Sequence, residues 1–300
     1  KESSYIPSNS LVTLGEHGNI FSLSLNSRSG PVKNLDYYND DSSINYFAHE
    51  SPFLNQDKGF GLTKNILLSN NHNLLFGYHD SSISIDPINN LNEKNLLDKK
   101  SFSFEFSGKN NLFNKYSLFF GTVVEDNSLL GSYGSGALNL NNNNPTSFFT
   151  GFGFEKNFPN DYSINYIGTI GETKSDHVSK SLITEYSNIA TFSLNASLKK
   201  KKLFYDNDEM NLTFNMPNQV YQGELIVKIP ELASKAGIDG IIDYERERIN
   251  LNQSEKQFSL DLSYKTAHSN KMFKLGGFFE FNSVNDDKSS LLYGLFKTSF

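Results

Sequence analysis

Along "SFSFEFSG", Phe102, Phe104 and Phe106 alternate with Ser101, Ser103, Glu105 and Ser107. A period of two belongs to a strand, whose successive side chains point to opposite faces of a sheet. The same split runs through "MNLTFNM", with Leu212, Phe214 and Met216 against Asn211, Thr213 and Asn215, and through "QFSLDLSY", with Phe258, Leu260, Leu262 and Tyr264 against Gln257, Ser259, Asp261 and Ser263. In "ATFSLNASL", Ala190, Phe192, Leu194, Ala196 and Leu198 oppose Thr191, Ser193, Asn195 and Ser197. Softer alternation marks strands near 60–68, 72–86, 115–124, 147–156, 161–171, 219–229, 272–282 and 290–300, with a short one near 245–251. Helical periodicity is nearly absent. "IPELASKAG", over 229–237, is the best short helix, with Gly237 as its C-cap. The first 58 residues are rich in Ser and Asn, carry one alternating piece at "GNIFSLSLN", and are expected to stand outside the regular sheet.

The lengths and connections of these strands carry the next step. Several are long, nearer the roughly nine to eleven residues of a tilted membrane strand than the five or six of an ordinary one. Short connections at "SNN", "GKNN" and "NFPND" alternate with long ones around 87–100, 125–146 and 172–186. Short turns at one end and long loops at the other are the pattern of an outer-membrane barrel. The stretch 230–255 breaks this rhythm. The expected fold is therefore all-β: an antiparallel transmembrane β-barrel of about twelve strands over residues 59–300, with 1–58 as a linker or pore-occupying segment.

Composition sharpens this picture at a few points. A net charge of -6 speaks against a nucleic-acid partner, which requires a basic face. The basic cluster Lys199–Lys202 runs straight into acids and reads as a solvated turn. With no cysteine the chain has neither disulfides nor thiolate metal sites. No window reaches the roughly 18 apolar residues of a spanning helix, and a mean hydropathy of -0.46 is blind to strands that are apolar at every second position. Twenty-six Phe and fifteen Tyr, many near strand ends, suit the aromatic girdles of such a barrel. The opening "KESSYIPSNS" has no apolar signal core, so the chain reads as a mature product or as the C-terminal part of a longer precursor.

Catalytic constellations do not emerge. His17, His49, His72, His79, His177 and His268 stand singly, without the spacing of a helical zinc site. "GSYGSGAL" from Gly131 to Leu138 misses the G-x-S-x-G spacing of a nucleophile elbow. "GFGL" at 59 and "GFGF" at 151 lack the third glycine and the helix of a dinucleotide site, and read as glycines where a sheet curves or packs closely. Asp206, Asp208 and Glu209 read as a charged turn. No enzyme activity, cofactor or metal is expected. The alternating faces carry the function instead: Phe102, Phe104, Phe106, Phe258, Leu260 and Leu262 as a lipid-facing set, and Glu105, Asn195, Asn211, Asn215 and Asp261 as a lumen-facing set.

The ending "LLYGLFKTSF", with Gly294, Phe296 and Phe300 on one face, resembles the terminal β-signal by which bacterial outer-membrane barrels are recognised by the barrel-assembly machinery. It differs in having Thr298 at an apolar position and the glycine one place off. "LLGSYGSGAL", "SFFTGFGFEKNFPNDYSINYIGTIG", "MNLTFNMPNQVYQGELIVKIP" and "INLNQSEKQFSLDLSY" occur in an order that resembles the C-terminal translocator barrel of subtilisin-type autotransporters. That family has a Leu-Gly-Ser-x-Gly-x-Gly-Ala loop and a Gln-Pro-containing hairpin, whose Gln and Arg are missing from "NMPNQVYQGELIVKIP". The resemblance implies an outer-membrane location and three partners: lipid, the assembly machinery and an N-terminal passenger, a subtilisin-like protease whose triad this chain lacks. A free-standing pore and a soluble all-β surface-binding protein are the alternatives.

Overall fold

Phe102, Phe104 and Phe106 do lie on one side of a strand, and most of the described residues belong to strands of the same kind. The computed structural model describes residues 10–16, 19–27, 59–85, 95–126, 128–130, 144–174, 181–230, 244–252, 256–268, 271–281 and 290–298, and among them there is no helix. The helix expected at 229–237 begins as strand at Ile229 and Pro230, and the rest lies outside the described residues.

The strands are β1 (Ser10–Glu16), β2 (Asn19–Ser27), β3 (Gly59–Ser69), β4 (His72–Ile85), β5 (Asn95–Gly108), β6 (Lys115–Asp126), β7 (Thr146–Phe158) and β8 (Tyr162–Lys174). They continue with β9 (Ile183–Tyr186), β10 (Ile189–Lys201), β11 (Asp208–Gln222), β12 (Glu224–Pro230), β13 (Tyr244–Asn250), β14 (Phe258–His268), β15 (Lys271–Phe281) and β16 (Ser290–Thr298). Thirteen of them form one antiparallel sheet, in the order β1-β2-β3-β4-β5-β6-β7-β8-β10-β11-β14-β15-β16. The remaining three form a second sheet, β13-β12-β9. Within the main sheet each strand pairs with the next one along it, so this is a single meander.

The count differs from about twelve for two reasons. The hairpin β1–β2, inside the stretch expected to stand apart, pairs with β3 from Ile20↔Asn65 to Ser27↔Gly59 and extends the sheet. Strands β9, β12 and β13 leave it. The segment "NMPNQVYQGELIVKIP" shows how. Pro217 has no N–H to give a ladder, and the register slips there, from Leu194↔Met216 to Phe192↔Gln219. Gly223, at φ +156°, then turns the corner that sends β12 out of the sheet. Instead of folding back on β11 as a hairpin, β12 pairs with β9 and β13.

Every short connection lies at one end of the main sheet, at 17–18, 70–71, 109–114, 159–161, 202–207 and 269–270. The connections at the other end, 28–58, 86–94, 127–145, 175–188, 223–257 and 282–289, are longer, as the alternation in the sequence predicts. The short turns are tied into a collar. Lys109 N–H donates to the Asn71 carbonyl (3.0 Å), Asn114 N–H to Glu155 (2.9 Å), Lys201 N–H to Asp161 (2.9 Å) and Ala267 N–H to Asn207 (3.1 Å). Asn110 holds its own turn, its Oδ1 accepting from the N–H groups of Leu112 (2.9 Å) and Phe113 (2.8 Å). Asn160 and Asp161 take the positive φ that a tight hairpin requires. At the long-loop end, Tyr186 and Ile189 form a small core with Leu129, Leu130, Ile183, Val220, Leu225 and Leu251, which fastens the second sheet to the first.

Candidate functional site

Register decides which side chains share a wall. Glu105, Phe119, Gly151, Thr169 and Ser193 form one cross-strand row, and Phe104, Phe120, Thr150, Ile170 and Phe192 form the next. Side chains of the first row stand on one face, which we call the inner face, and those of the second on the outer face. The two faces reverse what a water-soluble sheet shows. Among inner residues, Glu105 and Thr191 are 0% exposed, and Ser101, Ser107, Ser117, Ser147, Asn165, Thr169 and Ser259 are buried. Among outer residues, Phe102 is 56% exposed, and Phe120 and Phe148 are each 49% exposed.

All five residues expected on a lumen wall fall on the inner face. Ser117 Oγ donates to Glu105 Oε1 at 2.7 Å. Asn195 Nδ2 donates to Asn215 Oδ1 at 3.3 Å, and Asn211 Nδ2 to Thr213 Oγ1 at 3.0 Å. The Tyr293 hydroxyl donates to both oxygens of Asp261, at 3.3 Å each. Lys274 lies buried beside them, its Nζ 5.9 Å from the Tyr293 ring centroid. Hydroxyl pairs line the same wall, Ser147–Thr173 (2.7 Å) near its long-loop end and Thr169–Ser193 near its middle. The side-chain oxygens of Asn65, Ser107, Asn165, Thr191 and Gln219 are buried and meet no hydrogen-bonding group of the protein.

The expected lipid-facing set falls on the outer face. Phe104 packs edge to face with Phe76 and at a tilt against Phe120, with ring centroids 5.1 and 4.7 Å apart. Phe258, Leu260 and Leu262 pair through the register with Phe281, Phe279 and Gly277. Gly294 and Phe296 lie on this face too, opposite Leu275 and Phe273, whereas Phe300 is outside the described residues. Towards the short-turn end the outer face carries a belt of rings: His72–Phe106 at 5.7 Å, Phe113–Phe154 at 4.8 Å and Phe154–Tyr166 at 5.4 Å. Lys200 Nζ sits 4.4 Å over the Tyr162 ring, and Phe204 and Tyr205 are exposed in the next turn.

Three features escaped the sequence reading. Phe119 and Phe149 belong to the inner face although they are large and apolar, because the glycines opposite them, Gly151 and Gly121, leave room for their rings to lie flat. Asp208, expected as part of a charged turn, is the buried organiser of that turn. Its carboxylate accepts from the N–H groups of Leu203 (2.6 Å), Phe204 (2.8 Å) and Tyr205 (3.0 Å) and from the Tyr264 hydroxyl (2.9 Å). Lys64 stands on the outer face between Phe21 and Phe76. Each of these depends on a cross-strand or through-turn neighbour, which the linear pattern does not contain.

No protein-family model matches the chain, no curated protein is similar to it in sequence, and no solved structure is similar to it in fold.

Proposed function

We propose that the thirteen-stranded sheet closes on its polar face as a β-barrel in a bacterial outer membrane, and that it acts there as the translocator and anchor of an N-terminal passenger. The reversal of the two faces carries this reading. Exposing a band of Phe and Leu to water while burying Ser, Thr, Asn and Glu would be costly on both sides, and lipid outside with a wet lumen inside removes both costs. The buried oxygens without a protein partner support a hydrated interior, since each would otherwise carry a desolvation penalty of about 1–3 kcal/mol.

Curvature towards the inner face is supported by residue size. Side chains converge on the concave side of a curved sheet, and the inner face is where Gly77, Gly121, Gly151 and the small hydroxyl residues lie. Sheets beyond about ten strands rarely stay open without curling, and closure would pair β1 with β16, which run in the same direction and have a neighbour on one side only among the described residues, in a single parallel seam.

Orientation supports the passenger. Strand β1 runs from the long-loop end to the short-turn end, so Ser10 stands at the long-loop end of the sheet. In outer-membrane barrels short turns face the periplasm, which puts an N-terminal passenger outside the cell. Residues 1–58 then link passenger and barrel, with β1 and β2 as the part bound to the sheet. The barrel-assembly machinery would read β16 as a free edge through main-chain bonds, with Gly294, Phe296 and Phe300 giving specificity. No catalytic group or cofactor takes part. Fractionation tests the reading: the full chain should resist carbonate extraction and need detergent, and a monodisperse detergent-free preparation would refute it.

A further inference from the structure

On the outer face, two rows of side chains run across the strands two positions apart. One is Phe21, Lys64, Phe76, Phe104 and Phe120; the other is Leu62, Tyr78, Phe102, Thr122 and Phe148. Between them runs a row that includes Gly77, Ser103 and Gly121, and here the wall sinks into an apolar groove of about 660 Å³. That is within the roughly 300–1,000 Å³ of small-molecule sites, on the face where an outer-membrane strand is otherwise a plain convex surface. Lys64 is the charged residue of its lining, and no acid pairs with it among the described residues. A cation set in a wall of Phe is unfavourable in lipid unless it meets an anion or reaches the interface.

Resting on the barrel reading above, we infer that this groove is a binding site for an anionic phospholipid, an acyl chain lying between the aromatic rows and the phosphate paired with Lys64. The rings offer apolar walls to the chain and the ammonium offers a point charge to the phosphate. Thr122 is the gap in the second row, where Phe102 and Phe148 are its register partners, so a larger side chain there fills the groove from the lipid side without touching the inner face.

The test uses the full chain in detergent micelles, titrated with dipalmitoyl phosphatidylglycerol or dipalmitoyl phosphatidylcholine and weighed by native mass spectrometry. Each sample is first checked for strand circular dichroism and for heat-dependent gel mobility. The wild-type chain should retain phosphatidylglycerol about fivefold more tightly than phosphatidylcholine. Lys64→Gln should abolish that preference, while Lys100→Gln, on the same face, should keep it. Thr122→Phe should weaken retention of both lipids; if it does not fold, Thr122→Leu takes its place. A folded, detergent-dependent chain that holds no lipid, that shows no preference, that keeps the preference without Lys64, or that is indifferent to the Thr122 change overturns the inference alone. A chain that is monodisperse without detergent overturns the barrel reading and the inference together.

Discussion

The ring of Phe119 lies over Gly151: a Cβ placed on that glycine would come within 2.3 Å of the ring's Cζ carbon and 2.6 Å of the Gly168 carbonyl oxygen. Two pairs along the same two strands the arrangement is mirrored, with Phe149 over Gly121. Two large rings are thus laid flat on a wall of hydroxyls and amides, where they cover backbone instead of standing out from the inner face. Gly151→Ala should therefore destabilise the sheet by about 1–3 kcal/mol, measured by urea unfolding in lipid vesicles. Phe119→Ala should cost less in the Gly151→Ala chain than in the wild-type chain, because the ring that the new methyl group meets is gone. Equal costs of Phe119→Ala in the two backgrounds would refute the contact.

Leu260 and Ser259 are neighbours in β14 with opposite surroundings, the one paired with Phe279 on the outer face and the other buried on the inner face. Leu260→Arg should cost about 2–4 kcal/mol if the position lies near the bilayer midplane, and Ser259→Arg clearly less, since its charge enters a polar interior. Equal costs, read from unfolding in vesicles, would point to a packed soluble core.

Asp208 organises the β10–β11 turn through three backbone N–H groups and Tyr264. Charge-assisted bonds of this kind contribute about 1.5–3 kcal/mol, so Asp208→Asn should lower stability by that order, and Tyr264→Phe by about 0.5–1.5 kcal/mol. A turn that keeps its proteolytic resistance in both variants would show that the carboxylate is not its organiser.

Phe296 is exposed on β16 opposite Phe273. As part of an assembly signal it should matter more to insertion in cells than to the finished fold. Phe296→Ala is expected to reduce outer-membrane levels while refolding in detergent stays close to wild type, since one half-exposed side chain contributes at most about 1.5–3 kcal/mol of burial. Normal levels in cells would defeat that role.

Much of this was legible because strand faces follow from a period of two, and no helix competes with it among the described residues. Phe102, Glu105, Asn195 and Leu260 could each be placed on a wall from the linear alternation alone. The turn pattern was legible for the same reason: "SNN", "GKNN" and "NFPND" fall at one end. What stayed hidden required register. Nothing in "SLFFGTVV" says which of Phe119 and Phe120 will find a glycine opposite it, and Lys64 looks ordinary until Phe21 and Phe76 are seen on either side. The corner at Gly223 was hidden because β12 alternates well enough to pass for another strand of the main sheet, and the hairpin β1–β2 because its Ser and Asn look like linker.

Spin labels test the central claim most directly, and a cysteine-free chain is well suited to them. Single cysteines from Ser101 to Ser107, labelled with nitroxide after reconstitution into vesicles, report collisions with oxygen, which concentrates in lipid, and with a water-soluble nickel complex. Oxygen accessibility should peak at positions 102, 104 and 106 and fall at 101, 103, 105 and 107, with nickel contact in the opposite phase wherever the label is reachable. Nickel contact that peaks at 102, 104 and 106 instead would place the phenylalanine face in water and contradict the membrane barrel.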